Sequence, residues 1–340
     1  MSEHLVVPGE RAGLELDEFL CLSFPLVNKG FLRRQVRDGA VLVDGSSARP
    51  SQRLRRDQVV SIDFEEEAAP VQPVAPAERV PILHEDDQVL VVDKPANLAV
   101  EPERWRRDAA CLSGALIAEA VERAGGFDEE GRPQEGALEW RPRLVHRIDK
   151  GTSGCVLVAK NLETERALRT AFEDGRVEKD YLALAEGEWF EDEPRLIDQP
   201  IAPGPGRSGR MAVRPNGRPS RTRIVPEERF RGYTLLRCSP LTGRTHQIRV
   251  HLSDAGFPLA VDPLYGRRDT LKLSDFKYGY KVKRGAIERP LLERLALHAW
   301  RITFPDLAAP GAPPRTVEAP LPADLERVLK QMRKVRRPRS

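Results

Sequence analysis

Apolar residues within positions 11–64 recur first at the spacing of a helix and then at the spacing of a strand. "LDEFLCLSF" repeats apolar residues every three or four positions, and "GFLRRQVRDG" predicts a second short helix that ends before Gly39. "AVLVDGSSARP" predicts a strand that runs into an Asp-Gly turn, and "LRRDQVVSIDF" predicts another strand. The pattern therefore indicates a small first domain, residues 1–64, with two helices and a hairpin.

A change in composition follows this unit. "EEEAAPVQPVAPAE", residues 65–78, is acidic and then rich in Pro and Ala, and it contains no aromatic residue. Such a segment is typical of an extended linker. We therefore expect a domain boundary here, with a larger domain over residues 79–306.

Strand patterns dominate the larger domain. "QVLVVDKP", "CVLVAK", "KDYLALAEG", "YTLLRCSP" and "HAWRITF" read as strands, and "CVLVAK" is apolar enough to be buried on both faces. "LETERALRTAFEDG" and "THQIRVHLSDAG" have helical spacing, and Thr245 is a candidate N-cap for the second. The pattern predicts an α+β domain around one large sheet. Residues 307–340 form a Pro/Ala-rich segment, a short helix in "PADLERVLKQMRK" and a basic tail.

Composition restricts the environment of this chain of 340 residues more than it restricts its chemistry. Its formal net charge of +3 permits a nucleic-acid partner without requiring one. No run of 18 apolar residues occurs, and the N-terminal residues lack a secretory pattern, so we expect no membrane association. Four scattered cysteines predict reduced thiols and a cytoplasmic protein. His246 and His251 are five positions apart, which does not suit a shared metal on one helix face.

Two basic segments are candidates for binding RNA. Arg33, Arg34 and Arg37 repeat along the second predicted helix, where they form either a phosphate-binding surface or an ordinary solvated face. In "FKYGYKVKR", residues 276–284, Lys281 and Lys283 alternate with other side chains after two tyrosines. This segment is either a base-stacking platform or a plain basic loop.

An acidic residue stands at an unusual place in "LVHRIDKGTSGCVLVAK", residues 144–160. Asp149 lies among basic residues and directly before the most apolar strand of the chain. A surface turn with a local ion pair would explain Asp149 taken alone. A carboxylate that enters a sheet edge near the core, however, needs a partner to stay ionised. Arg244 and Arg249 in "TGRTHQIR" are the candidate partners.

Five segments together resemble the RluA-type pseudouridine synthase family. "HRIDKGTSG" resembles the family's signature around its catalytic Asp, "VVDKPANLAV" its Lys-Pro motif, and "VEKDYLAL" its Lys-x-Tyr segment. "PLTGRTHQIRVHLSDAGFPLAVDPLYG" is similar to the longest family motif, and "LALHAWRITF" is similar to the closing strand. The five stand in the family's order over about 230 residues. Residues 11–64 resemble, less closely, an S4 RNA-binding domain.

The resemblance implies a fold, a reaction and a set of catalytic residues. The fold would be a large mixed, mainly antiparallel sheet flanked by helices and loops, behind a small S4-like α/β domain. The reaction would isomerise uridine to pseudouridine in structured RNA, without cofactor or metal. Asp149 would act as nucleophile or base, Tyr181 would stack on the uracil, and Arg249 would keep Asp149 ionised. Large-subunit rRNA is the favoured substrate and tRNA the alternative, and we expect a monomer without an obligate protein partner.

The same motifs imply which further residues bind or support the substrate. Arg147 would fill the gap left by a flipped base or hold its phosphate. His146 would shape the turn. The remaining residues matched to substrate binding or its support are Arg244, Thr245, His246, Lys94 and Pro95.

Four positions depart from the family pattern. Asn97 replaces a Gly, and Asn is the next-best residue at positive φ. Glu101 replaces a His, Val261 replaces a Gly, and Arg56 replaces a turn Gly in the S4-like part. None of the four falls on the catalytic set, although Glu101 and Val261 bear on the shape of the cleft.

Two other functions remain open from the sequence. The first is a non-catalytic RNA-binding factor in ribosome assembly, which the S4-like part and the basic tail favour. The second is a hydrolase with paired carboxylates, for which Asp262 would be the second acid.

Overall fold

A computed structural model describes residues 3–63, 74–103, 106, 109–126, 138–206, 209–282, 285–307, 309 and 311–337. The chain forms two compact units. Unit 1 comprises residues 1–79 and 99–143, and unit 2 comprises residues 80–98 and 144–340.

A small antiparallel sheet and two helices build the first part of unit 1. Its elements are β1 (Glu3–Val6), a 3-10 turn (Gly9–Arg11), α1 (Leu16–Ser23), α2 (Lys29–Arg37), β2 (Val41–Val43), β3 (Ser46–Ser47) and β4 (Val59–Ile62). The strand order is β1-β4-β2-β3. Asp44 and Gly45 have φ values of 49° and 73°, as a tight hairpin turn with two left-handed residues requires. The two predicted helices and the Asp-Gly hairpin are confirmed.

Unit 1 also contains a helix that the sequence pattern did not predict. Helix α3 (Leu112–Arg123) buries Ile117 and Val121 in an apolar cluster with Leu22 and Leu138. Residues 99–143 therefore group with the N-terminal residues, whereas the sequence analysis assigned them to the larger domain. The assignment of an S4-like domain and a catalytic domain stays a prediction, and residues 65–73 of the predicted linker lie outside the described residues.

One large sheet organises unit 2. Its elements are β5 (Ile82–Glu85), β6 (Val89–Lys94), β7 (Arg143–Leu144), β8 (Ser153–Ala159), α4 (Leu162–Glu173), β9 (Glu178–Glu186), β10 (Arg195–Asp198), β11 (Ile201–Pro203), β12 (Met211–Val213), β13 (Arg221–Phe230), β14 (Tyr233–Pro240), α5 (Gln247–Asp254), α6 (Leu273–Phe276), β15 (Leu297–Phe304), β16 (Arg315–Glu318) and α7 (Ala323–Val335). Eight strands follow the order β10-β13-β14-β9-β15-β8-β6-β5, β16 pairs with β15, and β11 and β12 form a separate hairpin.

The sheet is mainly antiparallel, because β8 and β15 are the one parallel pair along that path. The mixed α+β fold class is therefore confirmed. Every residue of β8 is buried, as its continuous apolar sequence predicts. Within the described residues, no helix is long and apolar enough to cross a membrane.

Strand β8 approaches β15 too closely for a side chain at Gly154. A Cβ at this position would lie 2.1 Å from the carbonyl oxygen of Ala299, and the φ of Gly154 is +110°. Only glycine fits both conditions. The second glycine of "GTSG", Gly154, is therefore explained by the packing of β8 against β15. It lies five residues after Asp149.

The prediction that Thr245 is the N-cap of helix α5 is wrong, because the helix begins at Gln247, one residue later than a cap at Thr245 requires. His246 occupies the N-cap position with a φ of 57° and makes no side-chain cap. The side chain of Gln247 closes the preceding turn instead, because its Oε1 accepts hydrogen bonds from Thr242 Oγ1 and the Arg244 N–H. Gly256, with a φ of 88°, follows the helix as predicted. Asn97 has a φ of 66°, which confirms the left-handed turn predicted there.

Candidate active site

Three neighbouring strands of unit 2 bring distant parts of the sequence to one place. Asp149 lies just before β8, and Tyr181 lies on β9, opposite Ala299 of β15 and Cys238 of β14. Strand β15 separates β8 from β9 in the sheet. Helix α5, which follows β14, carries Arg249 to the same end.

The guanidinium of Arg249 joins two carboxylates. Its Nη1 donates to Asp149 Oδ2 at 2.9 Å, while its Nε and Nη2 donate to the two oxygens of Asp262 at 2.7 and 2.8 Å. The predicted pairing of Arg249 with Asp149 is confirmed. Burial opposes the charge of Arg249, but the hydrogen bonds and charges of Asp262 and Asp149 outweigh burial and raise the pKa of Arg249. Arg249 therefore stays charged beside Asp149.

Asp262 holds Arg249 in place and has no capacity left for a substrate. It is 1% exposed, and its Oδ1 also accepts from the backbone N–H groups of Leu264 and Tyr265. Because Asp262 and Asp149 bind the same guanidinium, separation does not exclude a paired-carboxylate hydrolase. The burial of Asp262 and its hydrogen bonds to Arg249, Leu264 and Tyr265 exclude such a hydrolase, because the carboxylate of Asp262 reaches neither water nor a sugar.

Tyr181 presents a neutral phenol on the floor of the site. Burial raises its pKa, and the negative charge of Asp149 raises it further. The phenol of Tyr181 is therefore protonated at any ordinary working pH, so it can stack and donate a hydrogen bond but does not begin a reaction as a base.

Lys94 supports the turn of Asp149 from the neighbouring strand β6. It is fully buried, and its Nζ donates to the carbonyl oxygens of Pro95, Leu98 and Lys150 at 2.8, 2.7 and 3.2 Å. Three acceptors match the three protons of an ammonium group. Burial lowers the pKa of Lys94 to about 7, although the charge of Asp149 opposes this shift. Lys94 thus braces the backbone directly after Asp149, as the sequence analysis anticipated.

We expect Lys94→Met to destabilise unit 2 and to lower activity without removing any group that touches the substrate. Each carbonyl left without a donor costs about 1–3 kcal/mol, and the Lys150 carbonyl is then free to move with Asp149. The lysine is protonated in the unfolded chain up to about pH 10.4, but in the folded chain only up to about 7. The unfolded chain therefore binds more protons between these values, and wild type should gain stability relative to Lys94→Met as pH rises through them.

Lys160→Met is the matched control for this substitution. Lys160 also extends from an end of the sheet and binds Glu85 and the carbonyl of Asp86, but it does not contact the Asp149 turn. Denaturant unfolding from pH 7 to 10 and steady-state rates are the measurements. Equal losses of activity in the two variants would contradict a specific role for Lys94.

A cleft of about 1160 Å³ opens in front of Asp149. Basic side chains on its walls outnumber acidic ones eight to four. It gathers most of the sequence-predicted site residues, namely Asp149, Tyr181, Arg249, Arg147, His146, Arg244, Thr245 and His246. Lys94 and Pro95 do not line it, in keeping with a supporting position.

His146 and Arg147 differ in what they offer to the cleft. The Nε2 of His146 accepts the Leu157 N–H at 2.8 Å, and the ring packs against Phe172 with centroids 5.1 Å apart. Burial, with a smaller contribution from the charge of Lys179, lowers the pKa of His146 to about 3. His146 therefore ties the turn to β8, and contact with RNA stays a prediction for it. Arg147 is exposed.

The far wall of the cleft contains arginines that the sequence analysis did not single out. Arg221 and Arg223 on β13 are exposed and line the cleft beside Arg244. Burial, with the nearby positive charge of Arg218, lowers the pKa of Arg244, whose Nε donates to the carbonyl of Pro219. Only the pairing of β13 with β14 puts these side chains opposite Asp149, so local sequence offered no signal for them.

The residues predicted to bind RNA outside the cleft have different surroundings. In unit 1, Arg34 and Arg37 of α2 are exposed, whereas the Nε of Arg33 is bound to Asp17 Oδ2 at 2.5 Å. In unit 2, Lys281 is exposed. Lys283 lies outside the described residues.

Comparisons with known proteins agree with this fold and site. The family described as RNA pseudouridylate synthase matches residues 88–254. The Ribosomal large subunit pseudouridine synthase C of Escherichia coli K12 is 35% identical over 348 residues, covering 98% of this chain and 97% of the relative. The Ribosomal large subunit pseudouridine synthase D of Xanthomonas campestris pv. campestris is 34% identical over 339 residues, covering 96% and 92%.

A solved structure supports the fold alone. Human RNA Pseudouridylate Synthase Domain Containing 4 superposes with a TM-score of 0.54 at 23% identity, over 74% of this chain and 93% of that one. The family match and the two bacterial relatives define the class of the protein, that of RNA-modifying isomerases. The chain belongs to the RNA pseudouridylate synthase family and is an RNA pseudouridine synthase.

Proposed function

We propose that this enzyme converts uridines of large-subunit ribosomal RNA to pseudouridine, with Asp149 as the group that starts the reaction. One observation carries the residue assignment: Asp149 lies in a basic cleft, with a carboxylate oxygen held by the buried Arg249. The names of the two bacterial relatives support the choice of RNA. Transfer RNA is the alternative substrate.

Either of two routes uses the same carboxylate. In the first, an Asp149 oxygen bonds to C1′ as the N1–C1′ bond breaks, and uracil leaves with the bonding electrons. The uracil turns, its C5 bonds to C1′ and releases the carboxylate, and C5 loses its proton. In the second, Asp149 removes a sugar proton first. The ion pair with Arg249 serves both, because each route needs the Asp149 carboxylate held in a fixed position.

The surrounding residues have complementary tasks in this proposal. Tyr181, kept protonated, supplies a flat ring for the uracil and an O–H for hydrogen bonding. The target nucleotide must leave its helix, which costs a few kcal/mol. Arg147, exposed next to Ile148 and Asp149, is placed to hold the displaced strand, and Arg221 and Arg223 are placed to bind flanking phosphates. In unit 1, Arg34 and Arg37 of the S4-like part extend the contact to structured RNA. We further propose a cytoplasmic monomer.

The substrate assignment predicts where label is released. Uridine carrying tritium at C5 loses the label when C5 becomes bonded to C1′, so tritium in water measures the reaction. We expect release from large-subunit rRNA transcripts and little from tRNA transcripts. Tritium release from tRNA transcripts alone would show that tRNA, and not large-subunit rRNA, is the substrate. No tritium release from either transcript would contradict the proposal that the enzyme acts on protein-free rRNA or tRNA.

A further inference from the structure

Tyr265 lies between two guanidinium groups behind the site. The Cζ atoms of Arg249 and Arg210 stand 5.0 and 5.3 Å from its ring centroid, and the residue is 8% exposed. Its backbone N–H donates to Asp262, the carboxylate that orients Arg249. The ring of Tyr265 therefore packs on Arg249 while its hydroxyl points elsewhere.

The hydroxyl of Tyr265 has two neighbours, and they determine the direction of its proton. Its oxygen accepts the backbone N–H of Met211 at 2.7 Å and lies 2.9 Å from His246 Nδ1. Burial raises the pKa of Tyr265, so the phenol keeps its proton. Over the part of the chain that the structure describes, His246 Nδ1 is the one acceptor in contact with that proton. Tyr265 therefore donates to Nδ1, which must be unprotonated.

The remaining proton of His246 then resides on Nε2. Among the described residues Nε2 has no hydrogen-bond partner, and His246 lines the cleft that contains Asp149. The charged groups that act on the ring are Asp149, Arg249, Asp262 and Arg147. Because Nδ1 accepts from Tyr265 and carries no proton, the ring is neutral, and burial, which lowers the pKa of His246, favours the same state. An uncharged N–H donor therefore faces the substrate space.

We propose that Tyr265 is a positioning residue that fixes His246 in the Nε2–H form, so that His246 donates a hydrogen bond to a carbonyl oxygen of the target uracil. A neutral donor suits a neutral carbonyl, whereas a phosphate would favour the charged imidazolium. Arg147, Arg221 and Arg223 are exposed and already supply positive charge for anions in this cleft. The carbonyl contact rests on the proposed function, but the state of His246 does not.

The tautomer of His246 can be measured without substrate. Long-range proton–nitrogen NMR of protein labelled at its histidines distinguishes the two neutral forms and the cation, and His246→Asn identifies the resonance. We expect the Nε2–H form in wild type from pH 6 to 8. In Tyr265→Phe, which keeps the ring between Arg210 and Arg249, we expect a mixture of both neutral forms. An Nδ1–H form or a cation in wild type at pH 7 would overturn the inference.

Two substitutions at His246 separate a donor role from a structural one. His246→Gln places an amide N–H near the position of Nε2, while His246→Asn reaches only the position of Nδ1. Asn, however, tolerates the left-handed backbone at this position, with its φ of 57°, better than Gln does. We expect Asn to be the more stable variant, and we expect its kcat/KM to fall about 10- to 100-fold below that of Gln.

The opposite ranking would refute the donor role, since a structural residue would favour the more stable Asn variant. Tyr265→Phe should lower kcat/KM in the same direction, with some loss of melting temperature because the Met211 N–H loses its acceptor. If the bound RNA instead converts His246 to the cation, and KM falls as pH drops below 6, the acceptor is a phosphate and the carbonyl assignment is wrong.

Discussion

Asp149→Asn is expected to abolish tritium release from uridine-labelled RNA while the protein stays folded and still binds RNA. Asparagine keeps the shape of Asp149 and an oxygen for Arg249 Nη1, but it can neither attack C1′ nor take a sugar proton. Both routes in the proposed mechanism lose their first step, so we expect a fall of more than about 10⁴-fold in kcat. Single-turnover label release and RNA filter binding are the measurements.

Asp324→Asn is the matched control for this substitution. Asp324 also accepts hydrogen bonds from an arginine of unit 2, Arg294, at 2.8 and 2.7 Å, but it lies at the start of α7 and does not line the cleft. This variant should lose some stability and little activity. If Asp149→Asn retained label release, or fully rescued a deletion strain in which pseudouridine was still formed, another residue would be the catalyst. If it rescued growth without pseudouridine, the RNA-binding role would be the one that matters in the cell.

Arg249→Met is expected to destabilise the folded protein by about 3–5 kcal/mol and to remove activity. The substitution leaves Asp262, which is 1% exposed, as a buried charge without its partner, and that is the costly way to break a buried ion pair. It also removes the guanidinium N–H that holds Asp149 Oδ2. Urea unfolding and label release under conditions where the variant remains folded are the measurements.

A double variant separates these two consequences. Arg249→Met with Asp262→Asn removes the orphaned buried charge, so part of the lost stability should return. Activity should not return, because Asp149 still lacks its partner. Recovery of activity in the double variant would mean that Arg249 acts only as a counter-ion for Asp262 and has no effect on Asp149.

The lysine and tyrosine variants have smaller expected effects because these residues act through other groups. Lys94 holds the backbone after Asp149, and Tyr265 sets the proton on His246. Asp149, Arg249, Lys94 and Tyr265 thus come from three separate motifs but form one connected arrangement within unit 2.

The local sequence pattern predicted an element correctly where its burial is nearly complete or where a turn requires particular residues. The apolar run of β8, the helical spacing of α1, α4 and α5, and the Asp-Gly hairpin are all confirmed. Asn97 was correctly placed at positive φ because few residues adopt that conformation. The N-cap of α5 was wrong because Gln247, a residue inside the helix, closes the turn that Thr245 was expected to cap.

Elements that depend on distant partners escaped the local pattern. Helix α3 was missed, and the grouping of residues 99–143 with unit 1 depends on contacts with Leu22 and Leu138. Asp262 was considered as a second catalytic acid, yet its full burial beneath Arg249 makes it a support. Arg221 and Arg223 could be assigned to the cleft only from the pairing of β13 with β14.

The sequence by itself determined which chemistry this protein performs, because order and spacing of five motifs identify the family and place an acid before a buried strand. It also predicted an arginine partner for Asp149, since a carboxylate near a core needs an opposite charge, and the structure shows that the partner is Arg249 and not the alternative, Arg244. Only the tertiary structure decided how that acid is held: by an arginine shared with Asp262 and by a lysine bound to three carbonyls. The physical reason is that hydrogen-bond direction and burial depend on residues brought together from distant strands, and no local pattern records them.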